Sequence, residues 1–264
     1  DETSVRAFHT GGKQFGAARI PLIAVPTTAG TGSEVTPFAV LDDTEQGVKG
    51  PIAANAFYPV LAIVDPALTF SLPKKVTAAT GLDALSHGME GYWSKNHQPL
   101  CDSMAMESAR LIFKYLPAVY ENPADEVGRS AMSYAALLAG MAFQLPKNAM
   151  VHACSFPLSN RFHLPHGTAC AFTLEFALKL NTPAMDGRME AFVAYCGFES
   201  VDAMAVAIRK LKRDGGLPCT LAEAGIPADA VETLVQESFH PLMNNNPVQV
   251  TEDDLHRMYQ ELEQ

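Results

Sequence analysis

The hydrophobic pattern of the chain changes near residue 72. Before that point, residues 20–25 and 60–64 are short apolar runs bounded by Pro, Gly and Asp, which is typical of buried strands in an α/β sheet. Between them, residues 35–41 and 47–51 predict a hairpin or a pair of edge strands, with a turn at residues 42–43. Two buried strands are too few for a covered parallel sheet, so we expect residues 1–72 to be the C-terminal part of a larger α/β domain.

From residue 73 onward, apolar residues recur at spacings of three and four, as they do in helices that bury one face. Pro and Gly residues separate these segments. The pattern therefore predicts an α/β remnant over residues 1–72, followed by an all-helical domain over residues 73–264. The predicted helices cover residues 76–93, 104–120, 128–143, 168–180, 189–195, 201–211, 228–237 and 253–262.

Composition excludes several classes of protein. The chain has 264 residues, 48% of them hydrophobic, which is enough for a large core. Its 19 Lys and Arg against 29 Asp and Glu give a net charge of −10 without a basic cluster, which argues against nucleic-acid binding. No apolar run reaches the roughly 20 residues that cross a bilayer, so no membrane partner is expected. Five widely spaced cysteines favour reduced thiols and a cytoplasmic location.

Four side chains form a candidate metal site. Asp83 and His87 are four residues apart in GLDALSH, so a helix would place them on one face. His152 and His166 follow in the helical half, 14 residues apart. Three imidazoles and one carboxylate suit Fe²⁺ or Zn²⁺ and leave a coordination position for substrate. The alternative is an Asp that caps a helix near hydrogen-bonded histidines, with no metal.

A second candidate element is the segment PTTAGTGSEVT, residues 26–36, which directly follows a predicted strand. Its glycines permit close backbone approach, and its hydroxyls suit phosphate or ribose oxygens. The segment is neither a P-loop nor a G-x-G-x-x-G fingerprint. Residues alone leave open whether it is a ligand-binding loop or an ordinary polar turn.

Taken in order, these motifs resemble one known family. The segments PTTAGTGSE, VDPAL, AATGLDALSHGMEGY, GMAF and LPHG, together with Lys49 and His152, are similar to the iron-containing (group III) alcohol dehydrogenases over essentially the whole chain. The resemblance implies the C-terminal part of a dehydroquinate synthase-like fold. In that fold, a dinucleotide-binding α/β domain and a helical domain hold a metal and a nicotinamide in the cleft between them.

The resemblance also assigns residues to ligands. It implies a divalent cation, with Fe²⁺ favoured and Zn²⁺ also suitable, and either NAD or NADP. The implied metal ligands are Asp83, His87, His152 and His166. The implied cofactor contacts are Thr27, Thr28, Thr31, Val40, Lys49, Leu68 and Phe143.

The sequence departs from the family pattern in two places. The glycine-rich pyrophosphate segment of the family would precede Asp1, so we expect the chain to be a fragment of a longer enzyme, with a natural short form as the alternative. Many members carry a proton-relay histidine four residues after the first ligand histidine of this region, where this chain has Phe156. His163 is the candidate catalytic substitute; the alternative is a solvated loop residue.

The expected function is that of a metal-dependent, NAD(P)-dependent oxidoreductase acting on a small alcohol or aldehyde. The HACSFP segment resembles a subgroup associated with phosphonoacetaldehyde-like substrates. Two alternatives remain: a polyol dehydrogenase or sugar-phosphate synthase of the same fold, and a non-catalytic metal-binding relative without a cofactor domain. A homodimer is expected by analogy with the family.

Overall fold

A small strand-rich part precedes a large helical part. The computed structural model describes residues 4–10, 12–16, 20–43, 45 and 48–263. A short helix, α1 (Arg6–His9), comes first, and its neighbour Thr10 ends it. All strands of the described residues lie before residue 63, and all the longer helices follow residue 73. This order agrees with the predicted fold class; the domain boundary at residue 72 stays a prediction.

The strands form two separate pairs. Strand β1 (Ile23–Ala24) pairs in parallel with β4 (Leu61–Ala62). Strands β2 (Phe38–Asp43) and β3 (Val48–Ala53) form an antiparallel hairpin. The predicted hairpin is confirmed, but residues 42–43 lie at the end of β2 and do not form the turn, because the ladder continues to the pair of Asp43 with Val48.

The prediction that the two apolar runs are buried is wrong. Ile20 is 90% exposed, and Ile23 and Val60 are each 55% exposed. The reason is that β1 and β4 pair only with each other among the described residues, so they form no larger sheet whose faces are covered.

Ten α-helices follow α1 in the described part of the chain. Three more turns of 3₁₀ helix and several loops join them. No helix of the described residues has the length and apolar character needed to cross a membrane. The helices are α2 (Lys74–Trp93), α3 (Pro99–Glu121), α4 (Glu126–Phe143), α5 (Met150–Phe162), α6 (His166–Phe172), α7 (Leu174–Asn181), α8 (Arg188–Tyr195), α9 (Val201–Asp214), α10 (Val231–Ser238) and α11 (Glu252–Glu261).

Helix α5 is absent from the sequence prediction. It contains Pro157, which lacks the N–H of a helical hydrogen bond and normally argues against a helix interior. Burial of Pro157 and Leu158 in the core offsets that loss. A second difference concerns the single helix predicted over residues 168–180, which is two helices, α6 and α7, separated at Thr173.

Helix α2 is the centre of the helical part. Residues 81–94 are all buried, and α2 packs against α3, α4 and α6. A helix surrounded on all sides shows little amphipathic pattern, because every face meets protein. Its polar side chains therefore lie inside the molecule, beside fully buried residues such as Leu82, Leu85 and Trp93.

The two parts of the chain meet at a close backbone contact. Gly32 has φ of +63°, and a Cβ there would lie 2.4 Å from Cα of Gly140 on α4. Only glycine combines that conformation with that approach. Beside this contact, Gln144 donates a 2.6 Å hydrogen bond to the Val35 carbonyl. The loop of residues 26–36 is thereby held against α4.

Candidate metal and cofactor site

Three acidic and imidazole side chains of α2 lie on one buried face. Asp83, His87 and Glu90 are spaced four and three residues apart, which places them one above another along a helix. The side chain of Asp83 is 2% exposed and that of His87 is 5% exposed. Asp83 lies in the middle of α2, so the alternative of a helix-capping Asp does not describe this structure.

Helices α5 and α6 bring two more histidines to this face. His152 lies in the first turn of α5, and His166 is the first residue of α6. Helix α6 packs so closely on α2 that a Cβ on Gly167 would lie 2.2 Å from the Ala79 carbonyl oxygen. The absence of that Cβ is what lets the start of α6 reach Asp83.

The four predicted metal ligands therefore converge. Oδ1 of Asp83 lies 3.6 Å from Nε2 of His166 and 3.9 Å from Nε2 of His152. Nε2 of His87 lies 3.0 Å from Nε2 of His152. A cation bound at roughly 2.0–2.2 Å by each atom requires donor separations of this size.

The donor set fits a divalent cation. Oδ1 of Asp83 and Nδ1 of His87 are buried without a hydrogen-bond partner among the described residues. Buried polar atoms normally have a hydrogen-bond partner. Two such atoms that lie near each other without a partner indicate that a ligand binds there. The side chain of His166 is 37% exposed while the other three are nearly enclosed, so the site opens to solvent on the α6 side.

Burial and mutual charge shift the pKa values of these groups. Burial lowers the pKa of His87 to about 3, so its ring is neutral near pH 7. Burial alone would raise the pKa of Asp83, but His87, His166 and His152 outweigh it and lower that pKa. Asp83 is therefore ionised, and a carboxylate beside a neutral imidazole is a suitable pair of metal ligands.

Sequence reasoning missed Cys170 as a member of this cluster. Its Sγ is fully buried and lies 3.8 Å from Nε2 of His166. Burial opposes ionisation of Cys170, but His152 and His166 lower the pKa of its thiol, and Cys170 in turn raises the pKa of His166 to about 9. The signal was available: His166 and Cys170 have the same spacing of four as Asp83 and His87. All five cysteines of the chain carry free thiols, as predicted.

Glu90 is the second residue that was missed. It is fully buried on α2 and forms a very short hydrogen bond with Nδ1 of His152. Burial lowers the pKa of His152, but Cys170 and Glu90 outweigh it and raise that pKa well above its ordinary value. The sequence signal for Glu90 was its place on the face of Asp83 and His87, three residues after His87.

Among the predicted cofactor contacts, Phe143 is the one that touches the cluster. Its ring stacks on His87, with centroids 4.2 Å apart and an interplanar angle of 16°. Phe38 of β2 continues the row, with its centroid 6.2 Å from that of Phe143. This aromatic row, Phe38–Phe143–His87, connects the hairpin to the candidate metal ligands.

The three predicted threonines lie on the loop that packs against α2 and α4. A Cβ on Gly30 would lie 2.8 Å from Cβ of Thr80, so the backbone beside Thr28 and Thr31 lies close to α2. Oγ1 of Thr31 lies 2.8 Å from the hydroxyl oxygen of Ser33 and accepts a hydrogen bond from its N–H. Thr27 and Thr31 are exposed, which leaves their hydroxyls accessible to a ligand.

The structure places Val40 and Leu68 outside the cluster. Val40 is 52% exposed on β2, where it pairs with Pro51. Leu68 is 42% exposed in a turn of 3₁₀ helix at Pro66–Thr69. The backbone of Lys49 pairs with Asp42, and its side chain lies outside the described residues.

His163 lies away from the cluster along α5. It is an exposed residue at the C-terminal cap, where φ is +54°, and it is separated from His152 by roughly 16 Å of helical rise. Phe156, at the position of the family's relay histidine, instead meets His240, with ring centroids 4.8 Å apart. The catalytic role of His163 stays a prediction.

Two basic residues near the site have different surroundings. Arg161 forms an exposed ion pair with Glu237, which accounts for its charge. Nζ of Lys147 lies 4.4 Å from the ring centroid of Phe38 and donates a 2.6 Å hydrogen bond to the Gln144 carbonyl. Burial lowers the pKa of Lys147. Its ammonium therefore stands at the outer end of the aromatic row.

Comparison with known proteins gives two family matches. Residues 77–262 match "Fe-containing alcohol dehydrogenase family, C-terminal", and residues 2–66 match "Iron-containing alcohol dehydrogenase". The chain is 35% identical over 252 residues to alcohol dehydrogenase 4 of Saccharomyces cerevisiae, which covers 94% of this chain and 66% of that protein. It is 36% identical over 261 residues to long-chain-alcohol dehydrogenase 1 of Geobacillus thermodenitrificans, covering 95% of this chain and 66% of that protein.

A solved structure agrees with these matches. The crystal structure of sulfoacetaldehyde reductase from Bifidobacterium kashiwanohense in complex with NAD⁺ superimposes with a TM-score of 0.95 at 46% identity. That alignment covers 100% of this chain and 70% of the other. The chain thus spans about two thirds of the length of the proteins it matches, just under that share for the two curated relatives.

Proposed function

The chain belongs to the Fe-containing alcohol dehydrogenase family, and from that premise we propose that it forms the metal-binding part of a nicotinamide-dependent oxidoreductase for small alcohols and aldehydes. One observation carries the proposal: Oδ1 of Asp83 is buried without a hydrogen-bond partner among the described residues and lies 3.6–4.0 Å from a ring nitrogen of each of His87, His152 and His166. Helix α2 is distant in sequence from the consecutive helices α5 and α6, and these elements would not place unpaired polar atoms together without a ligand to satisfy them.

In this proposal the side chains have separate tasks. Asp83 and the three imidazoles hold the cation, and the opening beside His166 admits the substrate. Phe143 supplies a flat apolar wall one ring away from His87, where a nicotinamide can lie. A divalent cation held by Asp83 and the three imidazoles would supply Lewis acidity, and a nicotinamide beside Phe143 would supply hydride-transfer chemistry.

The test compares metal content and turnover of the same samples. His166→Ala removes the most accessible donor, so we expect it to lose most of its bound metal and its NAD(P)H-dependent aldehyde reduction. Metal is measured by mass spectrometry and turnover by NAD(P)H absorbance, with NADH and NADPH tried separately. His97→Ala is the matched control, since the His97 ring pairs with Asp102 and belongs to neither group of potential metal ligands among the described residues.

The outcomes separate the two interpretations of the chain. A His166→Ala variant that keeps the metal content and turnover of the wild type would contradict the proposal. A wild-type protein that binds metal but has no affinity for NADH or NADPH would instead support the alternative of a non-catalytic metal-binding relative. His163→Ala, assayed alongside, tests the relay prediction through the pH dependence of turnover.

We further propose that the substrate is an aldehyde with an anionic group. The HACSFP segment points to phosphonoacetaldehyde-like compounds, and the structural relative is described as a sulfoacetaldehyde reductase. These two aldehydes share a two-carbon unit that ends in a tetrahedral oxyanion. Lys147 supports this choice because its half-buried ammonium stands at the end of the aromatic row that begins on His87.

Lys147→Met tests this substrate class. A hydrogen bond to a charged group contributes about 1.5–3 kcal/mol, so kcat/KM for sulfoacetaldehyde and phosphonoacetaldehyde should fall about tenfold to a hundredfold. The value for propanal, which has no anionic group, should change little. Arg161→Met is the control, because the Arg161 side chain already pairs with Glu237. Equal losses for charged and uncharged aldehydes would contradict the role of Lys147.

A further inference from the structure

Glu90 is a buried carboxylate that is not one of the proposed metal ligands. It lies on α2, three residues after His87, and is fully buried. Among the described side chains its ion-pair partner is His152. An isolated carboxylate in such a place would be strongly destabilising, so its other contacts must compensate its charge.

One oxygen of Glu90 caps the start of α5. Oε1 accepts hydrogen bonds from the backbone N–H groups of Ala149 at 3.0 Å, Val151 at 2.7 Å and His152 at 3.4 Å. These N–H groups have no partner within the helix, and Ala149 offers no capping side chain. The positive end of the α5 dipole therefore faces the carboxylate and compensates its charge.

The other oxygen of Glu90 fixes the ring of His152. Oε2 accepts the proton of Nδ1, which directs Nε2 toward the centre of the site. Nε2 of His152 then lies 3.0 Å from Nε2 of His87 and 3.9 Å from Oδ1 of Asp83. A histidine that binds a metal through one nitrogen normally donates its other N–H in this way, which fixes the ring orientation and strengthens the ligand.

We propose that Glu90 is the positioning residue of the site: one carboxylate sets both the start of α5 and the nitrogen that His152 presents to the cation. The inference rests on the proposed function only where it concerns the bound cation. The hydrogen bonds of Glu90 to α5 and to His152 are formed within the protein. Because both bonds come from a single side chain on α2, the helix that carries Asp83 and His87 also sets the position of the third ligand.

Glu90→Gln separates these two bonds with little change of shape. The amide oxygen can still accept from the backbone, but the amide nitrogen then faces Nδ1 of His152 and can no longer accept its proton. We expect Zn²⁺ affinity, measured by competition with a chelator, to weaken 10- to 100-fold. In proton NMR of the metal-free protein, the wild type should show a far-downfield resonance from Nδ1–H of His152, and Glu90→Gln should lose it.

Asn245→Ala is the matched control for a merely structural effect. Asn245 donates a 2.8 Å hydrogen bond to the Asn148 carbonyl, so its loss loosens the segment that enters α5 without touching Glu90 or the ligands. This variant should keep the downfield resonance and bind Zn²⁺ within about twofold of wild type.

Two results would overturn the proposal. One is a Glu90→Gln protein with wild-type Zn²⁺ affinity and an unchanged resonance. The other is an equal loss of Zn²⁺ affinity in Asn245→Ala, which would assign the effect to the loosened segment. A wild-type protein that does not bind Zn²⁺ or Fe²⁺ would contradict the proposed function, and the resonance would still decide whether Glu90 orients His152.

Discussion

The helical part and the strand-rich part of this chain differ in what covers their apolar side chains. In α2, residues 81–93 are all buried, including the polar ones. In β1 and β4, Ile23 and Leu61 are 55% and 49% exposed, although their sequences are as apolar as those of the core. The difference teaches that an apolar run specifies a tendency to be covered, while the packing of other elements decides whether it is covered.

The candidate site lies where these two parts meet. Its candidate metal ligands come from α2, α5 and α6, and its aromatic row reaches β2 through Phe38. The loop of residues 26–36 is held against α4 by the contact of Gly32 with Gly140. The helical part thus supplies the candidate metal ligands and Phe143, and the strand-rich part supplies Phe38 and the loop that carries the predicted threonine contacts.

The largest expected effect on the free energy of unfolding comes from opening a cavity in the helical core. Leu85 is fully buried on α2 between Asp83 and His87. Its truncation in Leu85→Ala should lower the free energy of unfolding by about 2–5 kcal/mol. Urea titration followed by circular dichroism measures it. Leu100→Ala on α3 is the control, since Leu100 is 70% exposed and its loss should cost little. Similar costs for both variants would contradict the contrast between core and surface.

A smaller effect is expected at the contact between the two parts. Gly32→Ala should lower the free energy of unfolding by about 1–3 kcal/mol more than Gly197→Ala, because the new methyl group would meet the Gly140 backbone. Gly197 is a suitable control: its φ of +87° is also positive, but a Cβ added there would meet nothing within 4 Å. Thermal unfolding of both variants compares them. If the two cost the same, the close approach of the loop and α4 contributes nothing beyond backbone strain.

The smallest effect is expected on the exposed strands. Leu61→Ala removes a side chain that is 49% exposed, so the free energy of unfolding should change by no more than about 0.5 kcal/mol. The measurement is the midpoint of urea unfolding, beside that of Leu85→Ala. A loss of about 2 kcal/mol or more, on the order of a core truncation, would mean that another part of the protein covers β4 in solution.

Much of the site could be predicted from the sequence because it is local. The spacing of Asp83 and His87 defines one helix face. His152 and His166 completed the candidate set by residue type, the family resemblance assigned all four as ligands, and the structure brings their side chains together. The hairpin of β2 and β3 likewise follows from a short-range pattern.

Other features depended on contacts between distant segments. Helix α5 forms despite Pro157 because the core covers it and Glu90 of α2 caps its first turn. Cys170 and Glu90 join the site only because α6 and α5 pack on α2. A cysteine or a glutamate in a helix does not by itself indicate contact with a metal ligand. The exposure of β1 and β4 could not be predicted from the hydrophobic pattern either. A short apolar run does not show whether another layer of the protein covers it.

By itself the sequence determined most of the helix positions, the hairpin and the types of the candidate metal ligands, because periodicity and residue chemistry act over a few residues. Only the tertiary structure decided which nitrogen of His152 faces Asp83, which apolar runs are covered, and how far His163 lies from the cluster. The physical reason is that hydrogen bonding and burial depend on partners that the chain supplies from distant segments, as Glu90 does for His152 across 62 residues.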